Sequence, residues 1–73
     1  MRFSIKKGVP CNLEVWNGCD VVLDARGLYF QKRSDVHTYM DEHLTAYKGE
    51  FLEYYLTQDG GCTLDLHLGY TIK

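Results

Sequence analysis

Residues 62 to 72 read CTLDLHLGYTI and alternate without a break. Cys62, Leu64, Leu66, Leu68, Tyr70 and Ile72 fall on one side, and Thr63, Asp65, His67, Gly69 and Thr71 on the other. A period of two held over this length is a strand with one core face and one wet face. The segment before it, Phe51 to Thr57, is its natural partner. The two runs flank QDGG, and Asp59-Gly60 is a strong hairpin turn signal. Within Phe51 to Thr57 the alternation puts Phe51, Glu53, Tyr55 and Thr57 on one side and Leu52, Tyr54 and Leu56 on the other. This hairpin therefore cannot bury all its aromatic rings on one inner face.

The first half of the chain repeats the theme in shorter pieces. Arg2 to Lys6 places Phe3 and Ile5 on one side, a first strand, and the single proline, Pro10, marks a turn after it. Asn12 to Trp16 puts Leu13 and Val15 on one face and Trp16 on the other. Asn17-Gly18 then supplies a pair that tolerates the positive φ of a tight turn, so residues 19 to 24 should return antiparallel. DARG, residues 24 to 27, reads as a second turn, and LYFQK, residues 28 to 32, as a further short strand.

Ser34 has the form of a helix N-cap, and Asp35 behind it adds negative charge where the helix dipole is positive. Val36, Tyr39, Met40, His43, Leu44 and Tyr47 then follow at i, i+3, i+4, i+7, i+8 and i+11, one stripe of a 3.6-residue period. Gly49 is placed to end the helix. Strands, one helix and a closing hairpin make an α+β domain, a small antiparallel sheet with the helix packed on one face.

Length and composition bound what such a domain can do. A chain of 73 residues buries only roughly 60% of its unfolded surface, so residues 1–73 form a single domain. With 45% hydrophobic, 14% aromatic and 25% charged residues, it has the material for a real core. No apolar run approaches the roughly 18 to 20 residues of a membrane span, and MRFSIKKG lacks the apolar stretch of a secretory signal. As a full-length product the chain is expected in the cytoplasm. Cys11, Cys19 and Cys62 make no complete disulfide set and no CxxC pair, which fits a reducing compartment. Free cysteine packs like a small hydrophobe, so all three are expected to be buried or half-buried.

Candidate chemistries are weighed against plainer roles. Metal binding would draw on the three cysteines with His37, His43 and His67, yet no close ligand pair of the structural zinc kind exists. His37 and Asp41, at i and i+4, read as a helix-surface pair. There is no nucleophile elbow, phosphate loop or HExxH helix, so neither an enzyme, a metal nor a cofactor is expected. Nucleic-acid binding would use Lys6, Lys7, Arg26, Lys32 and Arg33, with Trp16, Tyr29 or Tyr54 as stacking platforms. Against it stands a net charge of −2 at pH 7, where such proteins are usually strongly basic. The charge is uneven: residues 1 to 33 carry six basic groups against three acids, and residues 34 to 73 carry two against seven. A partner-binding surface is expected from Asp35, Asp41, Glu42 and Glu53, acids standing in for phosphates, with Trp16 and one of Tyr54 and Tyr55 as aromatic anchors. The plainer role of those acids is a solvated helix back.

The short hairpin, the stretch GLYFQKRSDVHTYMDEHL as strand and capped acidic helix, and the closing hairpin together resemble the small phage-encoded inhibitor proteins of the anti-CRISPR kind. That resemblance covers residues 27 to 72 and implies a stoichiometric blocker of a host nucleic-acid-processing or defence complex. The expected partner is a larger protein or ribonucleoprotein complex, without a membrane. A nucleic-acid-binding accessory protein is the alternative, and a homo-dimer through the last strand is open if that strand lies at a sheet edge.

Overall fold

The computed structural model describes residues 5–58 and 66–73. Strand β1, Cys11–Asn17, is built on alternation: Cys11, Leu13 and Val15 are fully buried while Asn12, Glu14 and Trp16 face the other way. It pairs antiparallel with β2, Asp20–Leu28, on one side and with β3, Phe51–Gln58, on the other. Strand β4, Leu66–Thr71, pairs antiparallel with β3. The order β2-β1-β3-β4 leaves β2 and β4 at the two edges among the described residues. Because β2 and β3 run parallel with β1 between them, the chain must cross over, and helix α1, Arg33–His43, carries that connection.

The helix covers one face of the sheet. Val36 and Met40, with Leu44 just past the helix end, meet Leu13, Val15, Leu52, Tyr54, Leu56 and Ile72 in one continuous core, closed at its flank by Phe30. Each such side chain contributes about 1.5–3 kcal/mol on leaving water, which is what holds the amphipathic helix to the sheet. The other sheet face has no element over it among the described residues.

Among the described residues, Gln58 is the polar side chain buried in this core. Its side-chain amide accepts from the Lys6 backbone N–H at 2.9 Å and donates to the carbonyls of Lys6 at 2.9 Å and Val9 at 3.1 Å. One side chain thus ties the segment before β1 to the end of β3.

Several expectations are corrected. The first hairpin pairs Asn17 with Asp20, so its loop is Gly18-Cys19 and not Asn17-Gly18. Gly18 takes φ of 61° at the first loop position, the backbone that a Gly-first two-residue turn requires. Cys19 is consequently exposed, whereas Cys11 is buried as expected. DARG is not a turn. It lies inside β2, where two residues, Arg26 and Gly27, oppose Asn12 in a bulge that puts Gly27 at φ 71°. The strand expected over 28 to 32 reduces to Leu28, the last residue of β2.

The N-cap is Lys32, not Ser34. The Asp35 carboxylate accepts the N–H groups of Gln31 at 3.0 Å and Lys32 at 3.2 Å, and so satisfies orphan donors from inside the first turn. The α-helix stops at His43, a single 3-10 turn follows over Thr45–Tyr47, and Gly49, at φ 86°, ends the passage. Of the expected stripe, His43 is exposed and stacks on Tyr39 with centroids 3.9 Å apart. Ile5 and Lys6 are not in a strand, and the rest of the expected first strand, residues 2–4, lies outside the described residues, as do the Asp59-Gly60 turn and Cys62.

Candidate functional site: the uncovered sheet face

Register assembles this face from residues far apart in sequence. Across β2, β1 and β3 one row runs Asp24, Glu14, Tyr55, and the row beside it runs Val21, Trp16, Glu53. Glu14 therefore sits between an acid and an aromatic ring, and Trp16 and Tyr55 are diagonal neighbours across the β1–β3 ladder, within reach of each other's surroundings. The Trp16 indole Nε1–H donates to Glu14 Oε1 at 2.8 Å, which fixes both side chains. Asn12, Glu14, Trp16, Asp24, Arg26 and Tyr55 line most of an open depression of about 590 Å³. Arg26 approaches Asp24 at 3.6 Å, with both groups well exposed, so the pair is worth little.

At the far end of the same face Phe51, 65% exposed, lays its ring over Gly69 of β4. A strand glycine leaves a gap in the sheet surface, and the diagonal aromatic fills it.

The acids and rings expected to form the contact surface are dispersed. Trp16, Glu14 and Glu53 share the uncovered face, and the aromatic beside Trp16 is the half-buried Tyr55. Tyr54 is only 1% exposed and belongs to the core; its parity with Leu52 and Leu56 turns it inward, and it cannot act as an exposed anchor. Asp35 is occupied at the helix start. Asp41 is half-buried and accepts the Tyr70 hydroxyl at 2.8 Å and the Lys73 backbone N–H at 2.9 Å, so it fastens the helix to the end of β4. Of the helix acids only Glu42 is exposed. The expected acidic helix back thus dissolves into one capping acid, one joint and one surface residue. The signal that sequence reasoning undervalued was Glu14, whose alternation places it beside Trp16 on β1; Asp24 joins them only through the β1–β2 register.

The basic residues of the alternative are all exposed. Lys6 and Lys7 are held near the end of β3 by Gln58, and Lys32 and Arg33 begin the helix that follows Leu28 at that same sheet end. Arg26 faces the depression instead.

Under the helix lies a second polar group. His37 stacks flat on Tyr70, with centroids 4.1 Å and planes 8° apart, and its Nε2 lies 3.0 Å from the Tyr54 hydroxyl. Burial, and then the nearby Arg33 charge, push the His37 pKa down, while burial pushes Tyr54 up. Burial also raises the Cys11 thiol, away from the thiolate that nucleophilic chemistry uses. Among the described residues no group of His, Cys, Asp and Glu side chains is placed to hold a metal ion, and no helix is long and apolar enough to cross a membrane.

Comparison with protein-family models, curated proteins and solved structures gave no match to this chain.

Proposed function

We propose that this chain is a small non-enzymatic interaction protein that binds a larger protein partner through the sheet face its helix leaves uncovered. One observation carries this: Trp16 and Tyr55 are half-buried diagonal neighbours in an open depression edged by Glu14 and Asp24, with Glu53 opposite Trp16. Large rings seated on a rigid sheet supply contact area at little entropic cost, and such residues dominate interface energies. Among the described residues, three acids against Arg26 give the face an acidic balance that complements a basic groove. The protein then acts by occupancy, as a stoichiometric inhibitor of a nucleic-acid-processing or defence complex in the host cytoplasm, the form implied by its resemblance to anti-CRISPR proteins.

The deciding experiment is capture from host lysate with the tagged chain, in nuclease-treated and untreated halves, beside a Trp16→Ala/Tyr55→Ala variant. The expected result is one stoichiometric protein that survives nuclease and whose recovery falls by about tenfold or more with the variant. Equal capture by the variant removes the docking-face reading.

A second reading, a nucleic-acid-binding accessory protein, is favoured by the placement of Lys6, Lys7, Lys32 and Arg33 at one sheet end. Recovery only in the untreated half, with steep salt dependence, would select it.

A further inference from the structure

The depression on the uncovered face has a charge arrangement that a sheet does not adopt without cost. Glu14 and Asp24 are directly paired across β1 and β2, two carboxylates side by side on one face, and like charges in that position destabilise a ladder. Among the described residues, Arg26 meets Asp24 at 3.6 Å while largely exposed, and does little to offset this. Glu14 is in turn held by the Trp16 indole N–H, so this carboxylate is fixed at the edge of an indole ring, with Tyr55 directly across the ladder on its other side.

One fixed carboxylate, Glu14, with the Asp24 carboxylate opposite it and two aromatic rings beside it, suits one chemical group better than any other. A guanidinium is planar, weakly hydrated and always charged. It stacks on an aromatic face and pairs with a carboxylate through a fork of N–H donors, where an ammonium is a strongly hydrated point charge. Phosphate is repelled by the same carboxylates, and the open shape of the depression suits a side chain delivered by another surface more than an enclosed small molecule.

We infer that the depression between Trp16, Tyr55, Glu14 and Asp24 receives an arginine side chain of the partner protein. This rests on the docking-face reading above and names the partner chemistry of that face. On docking, the guanidinium takes the place that Arg26 holds weakly beside Asp24, and the paired carboxylates gain a closer counter-charge than Arg26 gives them.

Trp16 is the single tryptophan of the chain, so its fluorescence reports on the depression directly. Penta-arginine, penta-lysine and penta-citrulline peptides are titrated against the intact protein, against Glu14→Gln, whose amide oxygen can still accept from Trp16, and against Asp24→Asn and the helix control Glu42→Gln. Saturable binding of penta-arginine is expected, about fivefold or more tighter than penta-lysine, with no response to penta-citrulline. A loss of about fivefold in Glu14→Gln or Asp24→Asn, with Glu42→Gln unchanged, supports the inference. Equal binding of the arginine and lysine peptides, unchanged binding in both acid variants, or no binding at all overturns it. If the peptides fail while partner capture still requires Trp16 and Tyr55, the guanidinium site is lost and the docking face stands. If capture ignores Trp16 and Tyr55, the face itself is lost.

Discussion

His37 is clamped between two tyrosines: its Nε2 lies 3.0 Å from the Tyr54 hydroxyl and its ring lies flat on Tyr70. The imidazole is favoured neutral there, because burial and Arg33 lower its pKa while Asp41 opposes them only in part. The unfolded chain therefore binds this proton more readily than the folded one. The stabilising effect is fully present above the unfolded value of about 6.5 and is lost as pH falls through the lower folded value. Denaturant titrations at pH 7.5 and pH 5 should show a loss of stability that is smaller in His37→Gln.

The alkaline side has the opposite sign. Tyr54 is raised by burial, and Tyr70 by burial and then by its hydrogen bond to Asp41. Their contribution is present below the unfolded value of about 10 and is lost as pH rises through the folded values. Tyr54→Phe, which leaves His37 Nε2 without its partner, should cost about 1 kcal/mol and lessen the alkaline loss seen by circular dichroism.

Asp41 and Glu42 are sequence neighbours with different duties. Asp41→Lys removes the acceptor of both the Tyr70 hydroxyl and the Lys73 N–H and should cost about 1–3 kcal/mol. Glu42→Lys should stay within about 0.5 kcal/mol. Thermal melts of the two single variants check this directly; equal melts would contradict the fastening role of Asp41.

Phe51 and Gly69 should behave as a sterically linked pair. A methyl at residue 69 would collide with the far end of the Phe51 ring, but that ring is exposed and can swing away. Gly69→Ala should therefore shift stability by less than about 1 kcal/mol, while the Phe51 ring resonances move markedly in an NMR spectrum.

Most of the architecture was legible where period alone decides it. The alternation of β1 and β3 gave the core face directly, and it had already grouped Tyr54 with Leu52 and Leu56. Treating Tyr54 as a surface anchor failed because its hydroxyl finds a partner on the helix, 17 residues away in sequence. Asp41 was misjudged for the same reason: Tyr70 is 29 residues distant, and nothing local announces the bond. DARG misled differently, since a glycine at positive φ serves a bulge as well as a turn. Ser34 and Asp35 are adjacent acceptors at one helix start, and only the backbone path decides which of them is used. The uncovered face needed the β1–β2 and β1–β3 registers, including a bulge beside Val22, before Asp24, Glu14 and Tyr55 could be seen as one row.

The Gln58 amide has a consequence for how this chain can change over time. Loops ahead of a first strand are ordinarily where insertions and deletions accumulate freely. Here the backbone of Lys6 is bonded through both its N–H and its carbonyl to one buried side chain, and Val9 through its carbonyl. Adding or removing a residue between them would slide those groups off the amide and strand it in the core. Residues 6 to 9 should thus keep a fixed length across descendants while their exposed side chains drift, and a descendant that alters that length should also have replaced Gln58.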